Sequence, residues 1–292
     1  MADRDVFDFE GTERDLRFRP VDPRGAQCLT SAQVEHFNER GFVPRLPLFD
    51  PDEAADFRHY MDWLIDEVVS ADDRRNSYSI NNYHQFCQRL HDLVTNPSLV
   101  AYVQDILGPE LVCWSTHAFC KLPNDGMDIP LHQDAVYWPF TPTRSVTAWL
   151  AIDDVDEENS AMRFAPGSHL NGPMAHDIVP LDGTVVLNRR VVDHKRFTDT
   201  YRNDLGAGQV SLHTDLLLHG SPPNTSNRRR CGITVRYLAA EVRAVAGSED
   251  WIKAAVHVGA GDPGGYWPNR RQPEGEDAHR LSQFSGGFDG NR

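Results

Sequence analysis

The sequence predicts a strand-rich domain with helical support, of the α+β or mainly β class, on three observations. Helical patterns are confined to roughly the first 110 residues. From Leu111 onward, short runs of apolar, β-branched and aromatic residues alternate with Gly- and Pro-containing turns. No internal repeat is visible, and 292 residues with 40% hydrophobic content are enough for one sizeable core.

The elements follow in order. Residues 1–28 are polar and charged and read as an arm without its own core. Thr30 or Ser31 caps a helix running to about Arg40, with Gly41 as its stop. Phe42-Val43-Pro44 reads as a brief strand. Asp50-Pro51-Asp52-Glu53 begins a second helix, with Asp as cap, Pro in the first turn and Glu three residues past the cap. Phe57, Met61, Leu64 and Val68 then recur at helical spacing and face the core. Residues 71–92, rich in amides and aromatics, are a polar loop leading into a helix, or a wall of a binding site. A helix from about Asn96 to Leu107 stops at Gly108-Pro109.

Strands are expected over Leu111–Leu122, over the near-continuous apolar run Val146–Ile152, at Met162-Arg163-Phe164, at Val210-Ser211-Leu212, at Leu216-Leu217-Leu218 and over Arg230–Ala239. Residues 170–205 have little periodicity and read as a long insertion of the kind that forms a lid. The expected organisation is an arm (1–28), one domain (29–245) and a mostly irregular, Gly- and Pro-rich C-terminal extension (246–292) able to wrap the core.

Composition bounds the partners. A net charge of −14 and a pI near 5.3 argue against nucleic acid or an anionic membrane. No run of 18 apolar residues suggests a membrane span, and the charged Met1-Ala2-Asp3-Arg4-Asp5 start lacks an apolar signal core. The five cysteines are scattered with no Cys-x-x-Cys, as reduced thiols in a cytoplasmic protein would be. The sequence gives no indication of oligomeric state. A small molecule is the expected partner.

Candidate chemistry centres on His132-Gln133-Asp134. At or near a strand, residues i and i+2 point the same way, so an imidazole and a carboxylate can address one point. With 13 His and 43 acidic residues in 292, about two His-x-acid triplets are expected by chance, and two occur, the other being His213-Thr214-Asp215. A third ligand from His219 would complete a two-His-one-carboxylate face, which suits non-haem Fe(II) activating O2. Arg230 follows eleven residues after His219. Its planar fork suits the far carboxylate of a dicarboxylate cosubstrate, with Arg228 and Arg229 as adjacent candidates. Arg230, Gly232, Thr234 and Arg236 share one side of an alternating strand, where small Gly232 leaves room for a ligand or for close packing.

Several motifs occur together and in one order: Lys121-Leu122-Pro123, Leu131-His132-Gln133-Asp134, Tyr137-Trp138-Pro139-Phe140, Thr147-Ala148-Trp149-Leu150-Ala151, Ala161–His169, and the segment from Leu217 through His219 to Tyr237. Over roughly residues 28–245 the chain resembles the phytanoyl-CoA dioxygenase family of Fe(II)/2-oxoglutarate oxygenases. The resemblance implies a double-stranded β-helix (jelly-roll, cupin-like) core. It implies His132, Asp134 and His219 on Fe(II), with 2-oxoglutarate held by Arg230 and Ser221 and lined by Trp149, and O2 as the third reactant. It also implies hydroxylation of an unactivated C–H bond with release of succinate and CO2. Desaturation, cyclisation or epoxidation share the same start. Tyr137 and Trp138 are substrate-wall residues or ordinary loop aromatics. Asn82, Gln85 and Arg236 are further substrate candidates. His213-Thr214-Asp215 fits no ligand position and reads as structural. The family commonly has Gly where Ser160 stands, and the presence of Asp134 disfavours halogenation. The basic cluster Arg189, Arg190, His194, Lys195 and Arg196 is a solvated turn or a contact for an anionic substrate group. The expected substrate is a small polar metabolite or natural-product intermediate, an amino acid or an anionic or phosphonate compound among the candidates. The competing readings are a non-catalytic jelly-roll binding protein and a different metalloenzyme built on the same His and Asp.

Overall fold

The computed structural model describes residues 12–71, 73 and 75–280. Within the expected N-terminal arm and C-terminal extension, residues 1–11 and 281–292 lie outside the described residues, as do Asp72 and Arg74 of the 71–92 segment.

Among the described residues four α-helices, with β1 (Phe42–Pro47) between the first two, precede the remaining strands: α1 (Ser31–Arg40), α2 (Pro51–Ser70), α3 (Gln88–Val94) and α4 (Pro97–Leu107). Their ends are set by local chemistry. Thr30 caps α1 and Gln33 bonds back to it, and Gly41 ends the helix in the left-handed conformation at φ 90°. Asp50 and Glu53 form the same reciprocal box on α2, and Asn96 caps α4. The apolar faces of these helices join the main core, through Phe57, Met61, Leu64 and Val68 on α2 and Leu99, Val103 and Ile106 on α4.

The strands are β1 (Phe42–Pro47), β2 (Glu110–Lys121), β3 (Ile129–His132), β4 (Phe140–Thr141), β5 (Ser145–Ala151), β6 (Arg163–Phe164), β7 (His176–Ile178), β8 (Arg189–Val191), β9 (Tyr201–Arg202), β10 (Gln209–Thr214), β11 (His219–Ser221), β12 (Arg230–Ala239), β13 (Arg243–Ala244) and β14 (Val256–Gly259). Six of them form an antiparallel sheet in the order β1-β10-β5-β12-β2-β14. A four-stranded sheet has the order β3-β11-β6-β9. The central strands β5 and β12 are buried along their whole length, which explains why they read as unbroken apolar runs. One face of the large sheet packs on the helices. The other faces the small sheet, and the candidate site lies between them.

Three expectations change. Leu216-Leu217-Leu218 is a turn rather than a strand, and its three side chains enter three separate small cores. The C-terminal segment is not wholly irregular. Its β14 extends the large sheet past β2, and Trp251, Trp267 and Ala278 are buried in the main core. The 170–205 insertion contains the β7–β8 hairpin, which packs beside β3. Among the described residues, no helix is long and apolar enough to cross a membrane.

Candidate active site

His132 ends β3 and His219 begins β11. The two strands pair antiparallel and set these residues directly opposite one another, with ring centroids 4.3 Å apart. Each Nδ1 meets a backbone carbonyl two residues earlier, His132 at Pro130 O (2.8 Å) and His219 at Leu217 O (3.0 Å). A carbonyl only accepts, so each Nδ1 carries the proton and each Nε2 keeps its lone pair for a ligand. Asp134 opens a 3-10 turn just after β3. Its Oδ1 lies 3.6 Å from His132 Nε2 and 3.9 Å from His219 Nε2, while its Oδ2 accepts from Thr147 Oγ1 at 3.3 Å. One ligand atom from each of the three buried residues falls within 4.8 Å of the others, and among the described residues no other group of His, Cys, Asp or Glu does so. Such a trio is able to hold one metal ion and leave part of its coordination open.

The electrostatics keep His219 and Asp134 in ligand form. Burial, with His132 beside it, pulls the His219 imidazole down to about 4. Burial opposes ionisation of Asp134, but the neighbouring His219 and His132 rings and the Arg236 guanidinium outweigh it and hold its carboxyl below the usual carboxylate range.

A second pole is built at the start of β12. Arg230 is buried, donates from Nη2 to Ser221 Oγ (2.9 Å) and from Nε to Ser160 O (3.2 Å), and lies 5.7 Å from the Trp149 ring. Its neighbours are committed elsewhere: Arg228 pairs with Asp156 and Glu158, and Arg229 makes a bidentate pair with Asp153. The room at Gly232 is taken by Trp149, since a Cβ there would stand 2.0 Å from that ring. Buried Lys121 donates to the carbonyls of Met127, Ser221 and Pro222 and so fixes the backbone that carries the Ser221 hydroxyl. Ser160 sits at φ 75°, a conformation that favours Gly, and its hydroxyl donates to Pro222 O.

A narrow cavity joins the two poles, and Phe119, Ile129, Met162 and Leu187 supply its apolar walls. The cavity brings together His132, Asp134, His219, Ser221, Arg230, Trp149 and Arg236. Tyr137 stands beside it, edge-on to the His132 ring at 5.7 Å, and its hydroxyl accepts from Arg189 N. Asn82, Gln85 and Trp138 do not line it. Asn82 is in the left-handed conformation and exchanges hydrogen bonds with the Thr116 backbone. Gln85 bonds back to Asn82 O. Trp138 packs edge-on against Trp114 in the main core.

Two neighbours were not picked out as site residues from the sequence. His213 lines the cavity, 3.9 Å from Asp134 Oδ2 and 4.7 Å from the His219 ring, and neither of its nitrogens has a hydrogen-bond partner. Its pairing opposite Thr147 on β5 could only be known from the fold. Gln133, between the two first ligands, bonds to Gly172 O, Leu216 O and Met174 N and ties the insertion to the site.

Two sheets hold two imidazoles and a carboxylate around one point, with a cation at the cavity's far end, an arrangement able to take a single metal ion. The phytanoyl-CoA dioxygenase family model matches residues 29–232, and the chain belongs to that family. It is 28% identical over 155 residues to peroxisomal phytanoyl-CoA dioxygenase of Bos taurus, covering 51% of this chain and 46% of the bovine one. It is 28% identical over 172 residues to a probable alpha-ketoglutarate-dependent hypophosphite dioxygenase of Stutzerimonas stutzeri, covering 58% and 59%. The chain thus spans about half the length of the curated relatives named here. Among solved structures, the non-heme monooxygenase ThoJ in its apo form shares the fold, with a TM-score of 0.67, 24% identity and coverage of 83% of this chain and 88% of that one.

Proposed function

We propose that the protein is an Fe(II)- and 2-oxoglutarate-dependent oxygenase that hydroxylates an unactivated C–H bond of a small polar metabolite. The supporting observation is the joining of two poles by one cavity: three ligand atoms within 4.8 Å of one another, and a buried Arg230 bonded to Ser221. The donor set fits Fe(II), because nitrogen and carboxylate oxygen in a 2:1 ratio with open positions is the arrangement non-haem iron oxygenases use. The two sheets would be the faces of a double-stranded β-helix, with residues 170–205 as a lid.

When bound, Fe(II), 2-oxoglutarate and O2 supply an oxidant for the substrate C–H bond, with succinate, CO2 and the alcohol as products. The chain's residues bind and orient. His132 and His219 present Nε2, and Asp134 presents Oδ1 while Thr147 holds its other oxygen. Arg230 and Ser221 take the distal carboxylate of 2-oxoglutarate, and Trp149 walls it in. Phe119, Ile129 and Leu187 exclude water from the substrate side. Tyr137, anchored by the insertion, shapes the wall beside His132.

The test is succinate release from 2-oxoglutarate, screened against amino acids, aminophosphonates and related small acids. A substrate-dependent release that falls more than about a hundredfold in Asp134→Ala supports the reading. Release unchanged by that substitution contradicts it.

A further inference from the structure

We propose that Arg236 is an anchor for the substrate, so that the compound oxidised carries a carboxylate group seated on that guanidinium; this rests on the oxygenase reading above. Arg236 is 3% exposed, on β12, six residues from Arg230 and facing the same cavity. Guanidinium stays charged when buried, so it needs a counter-charge or good hydrogen bonds. Among the described residues no carboxylate pairs with it within 4.0 Å; Asp134 acts on it from farther off without a hydrogen bond, and its Nε has no hydrogen-bond partner. Its contacts are one long hydrogen bond from Nη1 to Ser115 Oγ (3.4 Å) and the Trp138 face at 5.3 Å. Arg229, one residue before Arg230, shows the alternative: it is saturated by Asp153 and Asp62.

Charge counting points the same way. The cavity lining offers Arg230 and Arg236 against Asp134, one positive charge in excess with the imidazoles neutral. Fe(II) and the 2-oxoglutarate dianion cancel, so that excess persists in the loaded site. One monoanionic group on the substrate would remove it. Register places Arg236 opposite Thr147 and Ser115, beside the carboxylate ligand, whereas Arg230 is held at the Ser221 end. The two guanidinium groups thus serve different ends of the cavity.

The probes are the straight-chain carboxylates from acetate to hexanoate and their primary amides, equal in shape and different in charge. Binding is read twice: by perturbation of the visible band of the anaerobic Fe(II)–2-oxoglutarate protein, and by thermal stabilisation of the metal-free protein. At least one carboxylate is expected to bind about tenfold or more tighter than its amide. Arg236→Gln should abolish that preference, Arg236→Lys should retain it, and the 2-oxoglutarate titration midpoint should stay within about threefold in both. Equal binding of acid and amide, binding of neither, or an Arg236→Gln protein that loses 2-oxoglutarate while keeping the acid preference would each overturn the proposal. If the band fails to form in the wild type, the oxygenase reading fails on its own, and the metal-free measurement still decides whether Arg236 takes carboxylates.

Discussion

Two His-x-Asp triplets occur in this chain, and burial treats their carboxylates in opposite ways. Asp134 has cations and imidazoles around it and stays ionised. Asp215, four residues before His219, turns away from the cavity and accepts from Thr143 and Thr214. Burial pushes its carboxyl up to about 6, the Thr143 hydrogen bond opposing and Asp134 adding to the rise. The folded value exceeds the ordinary 3.8, so the folded state holds the proton that the unfolded state releases between pH 4 and 6. Stability therefore falls as pH rises through that window, by at most roughly 3 kcal/mol. Asp215→Asn is expected to raise the melting temperature at pH 7.5 and to lose that advantage near pH 4. Equal shifts at both pH values would contradict the assignment. The two triplets are indistinguishable in sequence. The order of motifs around His132 separated them, but that order did not show that His213 would face the cavity while Asp215 would not.

At the scale of elements, β12 carries the site. Alternation sends Arg230, Gly232, Thr234 and Arg236 into the cavity, and Cys231, Ile233 and Val235 into the main core. Gly232→Val would drive a side chain into Trp149. Expected are a loss of about 1–3 kcal/mol in stability and weakened 2-oxoglutarate binding, measured by thermal unfolding and cosubstrate titration. An unaltered protein would show that Trp149 is not held against the strand. Helix ends at Thr30, Asp50 and Asn96 and the strand at Arg230–Ala239 were legible because each follows from local chemistry or a period of two. The turn at Leu216–Leu218 was not, because its leucines are buried for three different tertiary reasons. Asn82 and Trp138 were open between a binding wall and ordinary packing, and sequence could not decide between the two. An amide and an aromatic near a motif look like a binding wall, yet one is spent on the Thr116 backbone and the other on Trp114.

For the whole molecule, the first and last of the described residues brace the domain from outside. Arg14 donates to the carbonyls of Ala135 and Trp138, and Leu16 packs against Ala135 and Leu216. At the other end β14 covers the edge of β2, Trp267 donates to Ala240 and Val242, and Glu276 bonds Tyr60 and Arg89. Such wrapping has no sequence period, because each anchoring residue meets a different element. A chain ending at residue 245 would uncover the edge of β2 at Glu110–Cys113 and lose two buried tryptophans, a loss of about 3–5 kcal/mol for each ring on the scale of tryptophan truncations. We expect it to aggregate or to melt far below the full chain, as read by calorimetry. A fully stable shortened chain would show that the C-terminal segment is dispensable.

The central claim is that His132, Asp134 and His219 hold one metal ion and that Arg230 holds the acid bound beside it. Crystals grown anaerobically with Mn(II) in place of Fe(II) and with 2-oxoglutarate test it most directly through anomalous scattering. One peak is expected within bonding distance of both Nε2 atoms and Asp134 Oδ1, with the cosubstrate running from it to Arg230 and Ser221. A peak bound elsewhere, or a 2-oxoglutarate that leaves Arg230 unpaired, would contradict it.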